Sequence, residues 1–150
     1  KVSDVLNKKE KQKIIDMEPG VEKEVQKLIA DYKAGTIQNL KSTPTGLKYV
    51  IIQEGNGPEI QKGQVARVHY YGATVADAKK FDSSFGRGST FTVPVGEGKV
   101  IPGWEESLLL MKKGTKAMVF IPAKLAYGEN GIPGMIAPNS ELAFYMEILN

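Results

Sequence analysis

Apolar residues at Val21, Val25, Leu28, Ile29 and Tyr32 recur at the spacing of one helical face. Pro19 suits a position at or before the start of that helix, Glu22 and Glu24 fall in or near its first turn, and Gly35 supplies a stop. Upstream the pattern is weaker. Val2, Val5 and Leu6 share a face, and Ile14, Ile15 and Met17 form a second patch. Between them Lys8-Lys9-Glu10-Lys11 reads as a solvated run. So narrow a stripe on so charged a segment must bury itself against the following domain, a second copy of the chain, or another part of a larger protein. Ser42-Thr43-Pro44-Thr45-Gly46 then has the chemistry of a linker and turn.

Beyond that point the period shortens to that of strands. Leu47–Ile52 reads as one. Gln64–Tyr71 alternates, is rich in β-branched residues and is expected to end at Gly72. Thr90–Val95 alternates too, with Pro94 marking an edge, a strand end or a bulge. Thr115–Ile121 and Leu142–Leu149 complete the set. Among them stands one helical stretch. Val100 and Ile101 close an extended segment, Pro102 and Gly103 turn the chain, and Trp104 opens a short helix. Glu105 and Glu106 sit in its first turn, where the helix dipole favours negative charge, and Lys112-Lys113-Gly114 ends it. A mostly antiparallel sheet burying one helix against one face is an α+β domain.

Composition narrows the chemistry. Hydrophobic residues make up 41% of the chain and charged residues 25%, which is globular. The net charge of +3 comes from basic side chains interleaved with acids, so no nucleic-acid stripe is present. Cysteine is absent, which excludes disulfides, thiolate metal sites and a cysteine nucleophile. His69 is the one histidine, too few for a multi-histidine metal site. Its strand position sets it opposite Tyr70, so a structural role suits it better than a Ser-His-Asp array with Asp82 and Ser83 or Ser84. Glu105 and Glu106 diverge on their helix, and Gly86-Arg87-Gly88 and Gly96-Glu97-Gly98 lack the strand–helix context of a phosphate loop. No cofactor is implied.

An apolar set remains: Tyr70, Phe81, Phe91, Val100, Ile101, Trp104, Tyr127, Ile136 and Phe144. Part of it is ordinary core. Several members, however, lie at strand ends or in loops. The glycine-rich loop Tyr127–Pro138 carries Ile132, Met135 and Ile136, and a loop with apolar tips covers something. Asp82 adjoins Phe81 and needs a partner there; Arg87 and the phenols of Tyr70 and Tyr127 are the candidates.

Four motifs in register carry a resemblance. Val68-His69-Tyr70-Tyr71-Gly72, Lys80-Phe81-Asp82-Ser83-Ser84, Val100-Ile101-Pro102-Gly103-Trp104-Glu105 and Ala126-Tyr127-Gly128 resemble the FKBP-type peptidyl-prolyl cis/trans isomerases, the macrolide-binding immunophilins. The resemblance runs from about residue 46 to the C-terminus. It implies a twisted antiparallel β half-barrel of five or so strands wrapped around one short helix, over residues 43–150, with residues 1–42 as a helical extension and linker. The phrasing of the motifs is similar to the bacterial branch. Bacterial periplasmic and infectivity-potentiator-like members carry such an extension and dimerise through it, so a homodimer through the N-terminal helix is one implied partner.

The resemblance also implies a pocket. Trp104 would be its floor, and Tyr70, Phe81, Phe91, Phe144, Val100 and Ile101 its walls. The Ile101 N–H would hold a substrate carbonyl. Asp82 and Tyr127 would be the polar groups at the rim, and Ala126 and Ile136 would close the loop side. Ile132, Tyr71 and Ala137 depart from familiar members, which often have histidine, threonine and proline there, and these changes are expected to touch the rim more than the floor. Proline-containing polypeptides are the implied substrates and macrolides the implied inhibitors. The alternative is a non-catalytic chaperone or peptide-binding module using the same groove. A chain that lacks cysteine, opens on Lys1 and carries such an extension is expected in the periplasm or cell envelope, with the cytoplasm as the alternative.

Overall fold

A computed structural model describes residues 2–149, with side chains from residue 7 onward. The patch expected at Val2, Val5 and Leu6 lies outside the described side chains. The chain opens with helix α1 (Val2–Ala34). Strands β1 (Lys41–Ser42), β2 (Lys48–Gln53), β3 (Val65–Thr74) and β4 (Lys80–Ser83) follow. A one-turn helix α2 (Ser84–Arg87) leads to β5 (Phe91–Pro94), α3 (Pro102–Leu109), β6 (Lys116–Ile121) and β7 (Leu142–Leu149). The seven strands form one sheet in the order β1-β2-β6-β7-β3-β4, every neighbour antiparallel, with β5 also paired to β3.

Strand β3 is the spine. One edge pairs with β7 from Arg67 to Thr74, and the other is shared between β5, at Val65–Val68, and β4, at Tyr71–Ala73. Pro94 is tolerated because β5 pairs on one side only. The strand does not stop at Gly72. It runs on to Thr74, because Ala73 and Thr74 go on pairing with Ala143 and Leu142; Gly72 is bare to admit its neighbours, since a Cβ there would meet the Phe144 ring at 2.7 Å and the Phe81 ring at 2.8 Å.

The sheet is buried on both faces. Val68, Tyr70, Val119, Ile121, Phe144 and Met146 pack with Trp104 and Leu108 of α3 on one side. Their strand neighbours Tyr71, Ala73, Met118, Phe120, Ala143 and Tyr145 pack with Val21, Val25 and Ile29 of α1 on the other. This explains why β6 and β7 read as near-continuous apolar runs instead of alternating: a strand covered on both faces has no polar side.

Helix α1 therefore spends its stripe on its own domain. Val25 and Ile29 are fully buried, and the Tyr32 ring stacks on Phe120 with centroids 3.9 Å apart. The helix runs straight through Pro19, where the sequence places a helix start. Pro19 and Gly20 face solvent, while Ile14 on one side and Val21 and Val25 on the other pack on the sheet. That packing outweighs the ~3 kcal/mol that an interior proline costs. The helix ends as expected at Gly35 (φ 73°), where Gly35 N–H bonds Tyr32 O and Thr36 N–H bonds Asp31 O. The stretch Lys41–Ser42, read as the edge of a linker, pairs with β2 at Lys48 and Tyr49.

Ile29→Ala is expected to lower the unfolding free energy by about 2–5 kcal/mol, since the side chain is enclosed by helix and sheet. Urea unfolding measures it. A loss below about 0.5 kcal/mol, the range of surface substitutions, would mean that α1 is not docked in solution.

Candidate functional site

The site is built on the α3 face, where four strands and the start of α3 converge. Pro102 at the first helical position of α3 fixes the turn out of Ile101, and the helix sits close because Gly103 has no side chain. A Cβ on Gly103 would lie 2.4 Å from Ile121. Trp104 is thereby pressed into the concave face, only 4% exposed. Around its indole, Tyr70, Phe144 and Phe91 stand at interplanar angles of 87°, 89° and 75°, with centroids 5.0, 5.4 and 5.9 Å away. Phe81 stands edge-on to Phe144 at 5.4 Å. Such edge-to-face contacts set the positive ring edge against the negative ring face.

These rings enclose a cavity of about 400 Å³, lined by Tyr70, Phe81, Asp82, Phe91, Gly98, Lys99, Val100, Ile101, Trp104, Tyr127 and Phe144. Its size and apolar walls suit a small-molecule or peptide side-chain pocket. Among the described residues the Ile101 N–H donates to no protein group, while its carbonyl accepts from Trp104 and Glu105. Tyr127, 38% exposed, stands at the mouth with its hydroxyl unengaged among the described residues.

Of the residues singled out in the sequence for the pocket, the fold brings all but Ile136 and Ala126 to this cavity, and Ala126 packs half-buried against the core beside it. Ile136 is 3% exposed and sits in the core beside the cavity, and it lines a separate pocket with Thr74, Ala76 and Pro138. The cause is the loop's backbone. Gly131 and Gly134 take positive φ, and Ile132 and Ile136 bridge, which tucks Ile136 inward and leaves Met135 outside at 52% exposure. Tyr71 is also misplaced by the sequence. It lies under α1 on the opposite face of the sheet, its hydroxyl donating to Glu22 at 2.8 Å, and touches neither rim nor floor.

Two features escaped sequence reasoning. The first is β4. Its pairing with β3 slips by one residue, from Gly72↔Asp82 to Ala73↔Lys80, so Phe81 is the extra residue of a bulge. Consecutive strand residues point to opposite faces, and the bulge relaxes that rule, letting Phe81 and Asp82 both reach the cavity. The second is the Gly98–Lys99 wall. Glu105 accepts hydrogen bonds from the N–H groups of Gly96 and Gly98 at 3.1 and 3.0 Å, which folds that turn over the start of α3. A Gly-x-Gly turn followed by an acid in a helix's first turn was the available signal. Glu106 turns the other way and accepts from the hydroxyls of Thr43 and Thr45, both at 2.6 Å.

The polar rim is a closed triangle. Tyr70 donates its hydroxyl proton to Asp82 Oδ2 at 2.5 Å, Arg87 pairs with Asp82 Oδ1, and Arg87 Nη2 donates to the Tyr70 oxygen at 2.7 Å. The Ser83 N–H adds a bond to Asp82 Oδ1 at 2.9 Å. Burial, then the bond to Asp82, pushes the Tyr70 phenol up to about 12, so it stays a donor at any physiological pH. Burial and the charge of Asp82 likewise raise Tyr127. The bond it donates to Tyr70, with the nearby Asp82 carboxylate, holds Arg87 above its usual value. His69 and Ser84 are hydrogen-bonded at 3.1 Å but lie on the other side of β3, 6% and 0% exposed, where no substrate reaches them. Burial lowers the His69 pKa and keeps the ring neutral.

The comparisons with known proteins agree with this geometry. Residues 57–149 match the model of the FKBP-type peptidyl-prolyl cis-trans isomerase family. FK506-binding protein 1 of Debaryomyces hansenii is 42% identical over 110 residues, covering 73% of this chain and 97% of that protein. The isomerase FkpA of Escherichia coli K12 is also 42% identical, over 113 residues that make up 75% of this chain and 40% of FkpA. The crystal structure of FkpA from Escherichia coli superposes with a TM-score of 0.71 at 32% identity, covering 99% of this chain and 65% of that one. That of AtFKBP13 gives 0.71 at 36% identity, covering 75% and 98%. The chain belongs to the FKBP-type peptidyl-prolyl cis-trans isomerase family.

The raised Tyr70 pKa has a direct consequence. The folded state favours the protonated phenol, so its stabilisation is complete below pH 10 and is lost as pH rises through about 12. Ultraviolet titration of wild type against Tyr70→Phe should show the variant lacking an ionisation step near pH 12. If the missing step falls near pH 10, the Tyr70–Asp82 bond does not persist in solution.

Proposed function

We propose that the cavity above Trp104 is where this chain binds the proline of a polypeptide and speeds rotation of the preceding peptide bond. An X-Pro bond rotates over a barrier of roughly 18–20 kcal/mol and needs tens to hundreds of seconds unaided. No bond breaks, so no nucleophile or metal is required. The planar amide is held by charge-separated resonance, which water favours. In a dry, ring-lined pocket that resonance is worth less, and the twisted amide loses less of it than the planar one. A pocket that accepts the twisted form then binds it preferentially, which is catalysis.

The observation that carries this reading is the enclosure of the indole by edge-on rings, with the Ile101 N–H and the Tyr127 hydroxyl left to a ligand at its edge. In this reading Trp104 is the floor; Tyr70, Phe81, Phe91, Phe144, Val100 and Ile101 are the walls; Ile101 N–H holds a substrate carbonyl. Asp82 keeps the rim polar and Tyr127 hydrogen-bonds the peptide. Ile136 supports the loop from behind. Residues 43–150 serve as the isomerase domain and residues 1–42 as its extension. Macrolide inhibitors compete for the same cavity, a proposal supported by the 42% identity to a protein named for binding FK506. A periplasmic or envelope location is supported by the absence of cysteine and the similarity to FkpA. No described helix is long and apolar enough to cross a membrane. Pairing of two copies through α1 remains a partner proposal, and it must use a face other than the buried Val21–Tyr32 stripe.

In a protease-coupled proline-peptide assay the wild-type chain should accelerate isomerisation. Asp82→Ala should lower kcat/KM roughly tenfold, about 1.4 kcal/mol of transition-state stabilisation, and Tyr127→Phe by a smaller factor. A macrolide should inhibit. Wild-type rates no faster than buffer would overturn the enzyme reading, and suppression of aggregation untouched by these substitutions would favour the peptide-binding one.

A further inference from the structure

Strand β4 carries Phe81 and Asp82, and α2 behind it carries Arg87. Both are poor supports by themselves. β4 is four residues long, stands at the sheet edge, pairs with β3 alone and contains a bulge. α2 is a single turn, too short to be stable without outside contacts. Yet the Tyr70–Asp82–Arg87 triangle needs both held to within a few tenths of an ångström. Ser84 ties α2 to β3 through the Tyr70 backbone, but β4 has no strand on its other edge to brace it.

Helix α1 lies there. Glu18, in its middle, reaches both weak elements at once. One carboxylate oxygen accepts from Lys80 Nζ at 2.8 Å, and the other accepts from Ser83 Oγ at 2.7 Å. These residues flank Phe81 and Asp82 in sequence. Ser83 is also the N-cap of α2, its hydroxyl oxygen accepting from Gly86 N–H at 3.2 Å. A hydroxyl has one proton. Giving it to Glu18 turns the lone pairs toward Gly86, so the carboxylate sets the cap that orients the turn bearing Arg87.

Local packing is fitted to this contact. A Cβ on Gly86 would sit 2.8 Å from the Glu18 carboxylate, and one on Gly88 would sit 2.4 Å from Lys11 of α1. Farther along, Gln26 and Lys33 donate to the carbonyls of Ala78 and Ala76 in the turn that leads into β4. Burial pushes the Glu18 carboxyl up, but the bonds from Lys80 and Ser83 outweigh it and hold it below the usual range, so it is charged at neutral pH.

We infer that α1 is a splint for the rim of the catalytic pocket, and that Glu18 is a positioning residue acting through Ser83 on Asp82 and Arg87. This rests on the isomerase reading above. Glu18 touches no substrate. It fixes the strand and the turn that present the polar rim, so an element outside the matched residues 57–149 tunes the site.

The test is a double-mutant cycle in the full chain, read by kcat/KM on a proline peptide. Glu18→Ala should lower kcat/KM about three- to tenfold, and Gly86→Ala, which pushes the carboxylate off Ser83, should do the same. In an Asp82→Ala background, Glu18→Ala should cost little more, because the group it positions is gone. Glu18→Gln, which can still accept from Ser83, should recover part of the loss. Hydrogen exchange of the β4 and α2 amides should quicken in Glu18→Ala while that of β6 and β7 stays unchanged. If Asp82→Ala impairs the enzyme but Glu18→Ala stays within twofold of wild type, or if the two losses simply multiply, the splint is refuted and the isomerase reading stands. If the wild type itself is inactive, that reading falls first.

Discussion

Strand β3 has to serve two cores, and the rest of the molecule follows from that. Its side chains alternate, so Val68 and Tyr70 enter the α3 side while Tyr71 and Ala73 enter the α1 side. A slip of one residue would send the Tyr70 phenol under the helix and Tyr71 into the cavity. Such a slip is blocked by pairing along almost the whole of β7 and by Gly72, the one position where two rings can cross the strand without meeting a Cβ. The register of a single strand thus determines both the floor's neighbours and the surface on which α1 lies.

Charge in the site is arranged by the same constraint. Asp82 reaches an apolar rim because a bulge turns it there, and although its side chain is 43% exposed, three donors meet it: the Tyr70 hydroxyl, Arg87 and the Ser83 amide. Those donors fix its orientation and satisfy the oxygens on the side turned from water. The phenol that donates to it also belongs to the ring cluster around Trp104. Polar rim and apolar floor are therefore one unit that shares Tyr70. The hidden His69–Ser84 pair shows the same economy on the other face, where the Ser84 hydroxyl ties α2 to β3 by accepting from the Tyr70 N–H and donating to the Tyr70 carbonyl.

Much of this was readable in the residues. The stripe Val21–Tyr32, the strands on either side of the Trp104 helix, the stop at Gly35 and the partners of Asp82 follow from periodicity, turn chemistry and the need to pair a carboxylate. Motifs around Tyr70, Phe81, Trp104 and Tyr127 pointed to the family. Harder to see were β4, whose four residues carry too little pattern, and the bulge at Phe81, which exists only relative to β3. Pro19 misled because local propensity argues for a helix boundary, and only packing on both sides of it overrides that argument.

By itself, the sequence determined which groups were available: nine candidate rings and branched chains with one acid beside them, no thiol and no second histidine. Such an inventory leaves out thiolate and multi-histidine metal chemistry and puts the weight on an apolar, ring-lined pocket. The tertiary structure alone decided which of those groups meet. Ile136 went behind the cavity and Tyr71 to the opposite face, while Glu18 came across more than sixty residues of chain to the edge of the site. Distances of that kind are set by strand register and helix docking, which are properties of paired elements and have no counterpart in a local stretch of residues.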